Sequence, residues 1–192
     1  MATMSELYEA IEHYYHTIYS YEGNQRDVKK ADRHMDGFTD ALIRAVPSPF
    51  VVEQKHRATI RGAFLNKRWD LAYGTGATFS NAIELKSIVM SKMGKCFSNR
   101  VEEAIGVATD LRHVNKDINL GYLLVVEDDF DGTDVAREKK LTKISKFCEY
   151  LEKDLKLYNN VCCIVFNSDK NYYCAYSSFE EFVSKWAKHE RT

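Results

Sequence analysis

The sequence predicts an α/β fold in which a mixed central β-sheet is flanked by helices. Continuous apolar runs at 121–126 and 161–166 are typical of strands that are buried on both faces. Segments with helical periodicity precede and follow these runs, and a glycine-containing tip at 74–76 joins two extended segments into a hairpin. Because helices alternate with the buried strands, we expect the hairpin to lead into parallel crossover connections.

The first 46 residues predict two amphipathic helices separated by a polar break at 22–25. Thr3 and Glu6 are spaced as a capping box at the start of the first helix. Its apolar stripe is Leu7, Ile11, Tyr15 and Ile18, and that of the second helix is Ala31, Met35, Phe38, Leu42 and Val46. The second helix is expected to stop at Pro47 and Pro49, because proline lacks the N–H group that a helix needs.

Extended structure is expected to follow the prolines. Segments 50–53 and 57–64 carry weak strand patterns, whereas 69–73 and 79–89 predict the two strands of the hairpin. A polar loop at 91–98 then precedes a helix at 99–114.

Two more helices are predicted in the C-terminal half. An acidic loop at 127–134 leads into a long helix, and Ser178 with Glu181 opens the last one. The apolar stripe of the long helix is Leu141, Ile144, Cys148, Leu151 and Leu155, and that of the last helix is Phe179, Phe182, Val183 and Trp186. At about 150 residues per domain, we expect one domain over 1–192, with an N-terminal helical region at 1–46 and an α/β core at 50–192.

Composition excludes several classes of protein. The 27 basic and 28 acidic residues give a net charge of -1, so any binding of nucleic acid must depend on a local patch. No apolar run approaches the roughly 20 residues of a membrane span, and the polar start lacks a secretion signal. Five cysteines without a C-x-x-C pair predict reduced and mostly buried thiols rather than disulfides or zinc ligands. We therefore expect a cytoplasmic protein without a membrane segment.

The chemistry is expected at the hairpin. Asp70 and Glu84 are equally distant from Ala77, so a turn centred there places the two carboxylates opposite each other, about 5 Å apart at Cβ. Side chains alternate along a strand, so Glu84 and Lys86 share one face. Ile83, on the other face, is expected to point into the core together with Leu85.

Two neighbouring carboxylates repel each other unless a cation binds between them. Mg²⁺ prefers oxygen ligands of this kind and can activate water for attack on a phosphodiester, with Lys86 orienting that water. The alternative is a cross-strand salt-bridge cluster in an unrelated α/β protein. Four other positions in the chain have the same D/E-x-K spacing: 27–29, 53–55, 138–140 and 154–156. Unlike these four, Glu84-Leu85-Lys86 lies in the interior of a predicted strand and follows an aspartate on the other side of a glycine turn.

These residues resemble the PD-(D/E)XK nuclease motif, with Trp69-Asp70 in place of Pro-Asp. The flanking sequence resembles the XhoI-type family of type II restriction endonucleases in three segments and, more weakly, over 121–128. The segments are Trp69-Asp70-Leu71, then Ala82-Ile83-Glu84-Leu85-Lys86-Ser87, then Gly94-x-x-Phe97-x-Asn99-Arg100-x-Glu102-Glu103-Ala104-Ile105-Gly106-x-Ala108-Thr109-Asp110.

The resemblance implies a restriction-endonuclease-like core and a Mg²⁺-dependent homodimer. Such an enzyme cuts double-stranded DNA at a palindrome, associated in this family with CTCGAG, and leaves 5′-phosphate and 3′-hydroxyl ends. Asp70 and Glu84 would bind the metal, and Lys86 would activate water. An auxiliary carboxylate would be Asp36 or Asp40, although either is equally interpreted as a solvated helix residue.

Four residues are candidates for contact with DNA. Asn99 and Arg100 occupy the predicted helix start, where N–H groups favour phosphate, and both side chains can also read base edges. The alternative for Asn99 is a plain N-cap. Lys92 and Lys95 in the preceding loop could neutralise phosphates, or could simply be solvated.

Two features near these candidates are acidic. Of Glu102 and Glu103, at least one is expected to be structural or to orient Arg100 or Lys86. The acidic loop at 127–134 should lie away from DNA or contact a partner. Two other functions stay open: a nonspecific or repair-type nuclease of the same superfamily, and a catalytically inactive DNA-binding module.

Overall fold

The computed structural model describes residues 4–19, 34–45, 59–75 and 78–188. Within these ranges the helices are α1 (Met4–Tyr19), α2 (Asp36–Ala45), α3 (Met93–Val114), α4 (Asp134–Glu149) and α5 (Phe179–Lys188). The strands are β1 (Thr59–Arg61), β2 (Asn66–Arg68), β3 (Leu71–Thr75), β4 (Thr78–Val89), β5 (Asn119–Glu127), β6 (Asn160–Phe166) and β7 (Tyr172–Tyr176). A 3₁₀ turn at Met90–Lys92 precedes α3, and a π-helical turn at Tyr150–Asp154 follows α4.

Five strands form a mixed sheet in the order β3-β4-β5-β6-β7. The pairs β3–β4 and β6–β7 are antiparallel, whereas β4–β5 and β5–β6 are parallel. The predicted fold class is therefore confirmed, including the hairpin that leads into parallel strands. β1 and β2 pair separately as a two-stranded antiparallel ribbon.

Helices cover both faces of the sheet. Leu124 and Val126 of β5 pack in the core on the side of α3 and α4, while Leu123 and Val125 pack in the core formed with α1, α2 and α5. All nine residues of β5 and all seven of β6 are buried, as their apolar runs predict. Glu84 and Lys86 alternate with Ile83 and Leu85, so they occupy the α3 side of β4.

Two predicted boundaries are wrong, and two strands are not predicted by the sequence. α3 begins at Met93, so the loop expected at 91–98 is a 3₁₀ turn followed by the first turns of the helix, and Asn99 is not its N-cap. The helix extends this far because Met93 and Phe97 are buried and continue its apolar stripe. In 57–64, the described strand is restricted to Thr59–Arg61. β2 and β7 were not predicted.

The remaining predicted helices and strands are present within the described residues, with ends that differ. The first hairpin strand begins at Leu71 instead of Trp69, α2 begins after Met35, and α4 ends at Glu149, so Leu155 lies beyond it. The Glu181 N–H donates to Ser178 Oγ at 3.0 Å, so the cap at the last helix is confirmed. Several predicted features lie outside the described residues: the Thr3 cap, the break at 22–25, Ala31, Val46, Pro47, Pro49, the segment 50–53, Gly76 and the Trp186 side chain.

The five cysteines are all free, and Cys148, Cys162 and Cys163 are buried. The prediction that most of the thiols are buried is therefore confirmed. No helix in the described part of the chain is both long enough and apolar enough to cross a membrane.

Candidate active site

The β3–β4 hairpin has the predicted register. Leu71 pairs with Ile83, so Asp70, directly before β3, comes next to Glu84. The Asp70 carboxylate accepts a hydrogen bond from the Leu85 N–H at 2.8 Å through Oδ2. This bond fixes Asp70 at the end of β3, where its charge acts on Glu84.

Glu84 is the buried centre of the site. Its side chain is 1% exposed, and it projects from the interior of β4 on the same face as Lys86. Lys86 Nζ forms an ion pair with Glu84 Oε1. A second ammonium group, Lys67 Nζ from β2, lies 2.9 Å from the same oxygen. One buried carboxylate oxygen is thus shared by two lysines.

Glu103 of α3 also contacts both of these lysines. Its Oε1 lies 2.9 Å from Lys86 Nζ and 3.3 Å from Lys67 Nζ, and its Oε2 accepts from Arg100 at 3.0 Å. Glu102, by contrast, is exposed. Glu103 is therefore the member of the glutamate pair that contacts both Lys86 and Arg100.

The surroundings shift the pKa values of Glu84, Glu103 and Lys86. Burial raises the pKa of the Glu84 carboxyl, and Asp70 raises it further, although Lys86 and Lys67 oppose the change. Burial alone would raise the pKa of Glu103, but hydrogen bonds and charge from Lys86 and Lys67 hold that pKa at about 2. For Lys86, burial alone would lower the pKa, yet Glu84 and Glu103 raise it. Lys86 is consequently charged and tightly held.

The carboxylates fit a hard cation. No hydrogen bond from any described residue reaches Glu84 Oε2, a buried oxygen, and an unsatisfied buried acceptor is costly. A divalent cation between Glu84 and Asp70 would satisfy it. The described residues contain no group of three or more His, Cys, Asp or Glu arranged to hold a metal. A Mg²⁺ site commonly uses fewer protein ligands than that, one or two carboxylates, and completes its shell with water and phosphate oxygens.

The site opens to the surface at its lysines. The exposed fraction of the side chain rises from 1% at Glu84 to 16% at Lys86, 24% at Lys67 and 31% at Glu103. A phosphate group could therefore approach the ammonium groups while Glu84 stays buried.

The predicted DNA-contact residues lie along one stretch of chain. Lys92, the last residue of the 3₁₀ turn, and Lys95, in the first turn of α3, are exposed. Asn99 is exposed within α3, and Arg100 is half-buried against Glu103. The structure brings Arg100 to the cluster through Glu103, and it moves Asn99 away from the predicted helix start.

The acidic loop is held by contacts within the protein. Asp129 accepts from the Ser91 N–H at 2.8 Å, and Asp128 pairs with Arg137. Glu127 is buried at the end of β5 and accepts from Tyr14 at 3.1 Å and from Tyr19. The loop thus lies against Ser91, next to Lys92.

Asp36 and Asp40 lie on α2. Asp36 is half-buried and Asp40 is exposed. α2 packs on the sheet face opposite to the face that carries Glu84. An auxiliary carboxylate from this helix stays a prediction.

Sequence reasoning did not assign Lys67 to the site. It lies in β2, whose residues Asn66, Lys67 and Arg68 show no apolar alternation, so the sequence carries no strand signal there. The nearness of Lys67 to Asp70 along the chain is the one available clue. For Glu103, the sequence does contain a clue to its role: Glu102 and Glu103 are adjacent acids on a helix that is otherwise expected to face DNA.

Three comparisons with known proteins bear on this site. The family described as Restriction endonuclease XhoI matches residues 19–181. A Type II restriction enzyme XhoI of Xanthomonas vasicola is 33% identical over 122 residues, covering 56% of this chain and 49% of that protein. The chain thus spans about half the length of that relative. No solved structure matches the chain.

The low pKa of Glu103 predicts an acid-sensitive contribution to stability. The pKa of the Glu103 carboxyl falls from 4.5 to about 2 on folding. Its ionised form therefore stabilises the protein at pH values above 4.5, and this stabilisation is lost as the pH falls from 4.5 to about 2. We expect Glu103→Gln to lower the free energy of unfolding more at about pH 6 than at about pH 3. Urea unfolding at both pH values measures this, with the exposed Glu102→Gln as the matched control. An equal loss at both pH values would contradict the prediction.

Proposed function

The chain belongs to the XhoI restriction endonuclease family, and from this premise we propose that it is a type II restriction endonuclease, a site-specific deoxyribonuclease. It hydrolyses both strands of double-stranded DNA in a Mg²⁺-dependent reaction. The observation that carries the proposal is the convergence of Asp70, Glu84 and Lys86 where the start of β3 meets β4.

Asp70 and Glu84 are the proposed metal ligands. Mg²⁺ bound there would supply Lewis-acid chemistry, polarising the scissile phosphate and lowering the pKa of a water molecule. The burial of Glu84 suits this role, because a buried carboxylate binds a cation with little competition from solvent.

Lys86 is the proposed water-orienting residue. Its ammonium group is fixed between Glu84 and Glu103, so it can hold the attacking water by hydrogen bonds while staying charged. Attack on phosphorus breaks the bond to the 3′-oxygen, which leaves as a 3′-hydroxyl. The products are 5′-phosphate and 3′-hydroxyl ends.

Residues on α3 are proposed to hold the DNA backbone. Lys95 and Asn99 are exposed and four residues apart, so they are neighbours on one face of the helix. Arg100 is next to Asn99 and is tied to the site through Glu103. We assign Lys95, Asn99 and Arg100 to phosphate contact, with Lys92 at the start of the same helix.

The recognition site is proposed to be the palindrome CTCGAG. Cutting both strands of a palindrome needs two active sites related by a two-fold axis, so we propose a homodimer. Residues 1–192 would supply one nuclease domain. An auxiliary carboxylate from Asp36 or Asp40 would have to reach the site from the opposite face of the sheet. We propose that the enzyme is cytoplasmic, where its DNA substrate is found. Free, mostly buried thiols support a reducing compartment of this kind.

Cleavage of plasmid DNA tests the proposed function. With Mg²⁺, the purified protein is expected to yield discrete fragments whose ends, when sequenced, fall in CTCGAG. Glu84→Ala and Lys86→Ala should each slow cleavage by at least about 100-fold, because they remove a metal ligand and the water-orienting group. Chelation of the metal should stop the reaction.

The matched control for Lys86→Ala is Lys139→Ala, which removes an exposed lysine on α4 and should leave the cleavage rate unchanged. A smear instead of discrete fragments would indicate a nonspecific or repair-type nuclease. Binding of duplex DNA without any cleavage would indicate an inactive binding module. Either result would contradict the proposal.

The oligomeric state tests the two-fold arrangement separately. Light scattering of the protein with a CTCGAG duplex, in Ca²⁺ instead of Mg²⁺, should give the mass of two protein chains on one duplex. A complex with a single chain would contradict the homodimer. It would leave the assignment of the catalytic residues unaffected.

A further inference from the structure

We infer that the two-stranded ribbon of β1 and β2 (residues 59–68) is the element that reads the DNA sequence, from the major groove. The inference rests on the proposed function and names a specificity-determining surface for it. It depends on the two faces of the ribbon, on its charge and on its attachment to the site.

The two faces of the ribbon have opposite character. Ile60 and Lys67 pair across it and face inward, where Ile60 joins the core and Lys67 reaches Glu84. The outward face carries Thr59 opposite Arg68, and Arg61 opposite Asn66. All four outward residues are exposed. The face turned away from the core is therefore built from hydrogen-bonding side chains.

These side chains suit base edges. Arginine binds the O6 and N7 atoms of guanine with two hydrogen bonds, and asparagine does the same with N6 and N7 of adenine. The major groove is wide enough for a two-stranded β-ribbon. A surface with Arg61, Arg68 and Asn66 could read G·C and A·T pairs in one groove.

The charge of the ribbon also favours DNA as its partner. The outward face of the ribbon carries two arginines, Arg61 and Arg68, and residues 59–68 contain no acidic residue, although the whole chain is nearly neutral. A polyanion is the complementary partner. The apolar tip, where Phe64 is 91% exposed and Leu65 51%, offers contact with thymine methyl groups.

The ribbon is rigidly mounted. The Asp110 carboxylate of α3 accepts from the Phe64 N–H at 2.8 Å and from the Leu65 N–H at 3.2 Å. A Cβ at Gly62 would lie only 1.8 Å from Asp110 Oδ2, so glycine is needed for this approach. A reading surface fixed before binding loses little conformational entropy when it binds.

The ribbon is also continuous with the active site. Asn66 and Arg68 are the sequence neighbours of Lys67, which contacts Glu84, and Asp70 follows two residues after Arg68. Each step along a strand is about 3.3 Å. Arg68 and Asp70 are therefore at most about 7 Å apart along the backbone, so the ribbon leads directly into the proposed active site.

Competition binding tests the inference. Affinities for two duplexes of equal length, one with CTCGAG and one with a scrambled site, are measured in Ca²⁺ so that the DNA stays intact. If sequencing of the plasmid ends shows another site, that site replaces CTCGAG. We expect Arg61→Ala, Asn66→Ala and Arg68→Ala each to lower the ratio of the two affinities by about tenfold or more.

A charge-preserving variant separates base reading from phosphate contact. Arg68→Lys keeps the charge but loses the planar fork, so it should retain affinity for the scrambled duplex and lose preference for the specific one. Lys139→Ala, the exposed control on α4, should leave the preference unchanged. Thermal unfolding confirms that each variant is folded, and Arg61→Lys replaces Arg61→Ala if the latter is not.

Three outcomes would overturn the inference: unchanged affinities for both duplexes, an equal fold-loss of affinity for both duplexes, or dissociation of a dimer with the preference retained. The second would make the ribbon a phosphate contact, and the third would assign it to a second copy of the chain. If the wild-type protein cuts no DNA, the proposed function itself fails. A wild type that cuts discretely while all ribbon variants keep their preference removes the ribbon inference alone.

Discussion

The site depends on one buried carboxylate. Glu84 lies in the interior of β4, a strand paired on both sides, so its position is fixed by the sheet and its charge is removed from water. A buried charge is costly unless it is compensated, and here Lys67 and Lys86 compensate it through a single oxygen. The other oxygen accepts no hydrogen bond from any described residue, and we propose that it binds a cation beside Asp70.

Helix α3 connects the parts that surround this carboxylate. Near its middle, Glu103 binds both lysines, and nearly two turns later Asp110 holds the turn of the β1–β2 ribbon. Lys67 lies on the ribbon itself, so α3 fixes the ribbon at its tip and at its base. The buried face of α3 against β4 thus sets the distance between the proposed reading surface and the proposed metal ligands.

Much of this arrangement could be predicted from the sequence because it depends on local patterns. Two apolar runs predicted β5 and β6, and the spacing of Asp70 and Glu84 about the hairpin tip predicted their register. Lys67 and Glu103 meet only through tertiary packing, across 36 residues of chain, which no periodicity records. The start of α3 was misplaced because the polar residues from Ser91 to Ser98 outweigh the two buried positions that continue the helix.

The proposed chemistry requires Asp70 and Glu84 to bind a divalent cation. The most direct test is anomalous scattering from crystals of the wild-type protein grown with Mn²⁺ in place of Mg²⁺. A peak coordinated by oxygens of both carboxylates at about 2.1 Å, and absent from Glu84→Gln crystals, is the expected result. A Mn²⁺ peak elsewhere, with Asp70 and Glu84 contacting only other groups of the protein, would show that these two carboxylates do not hold the metal.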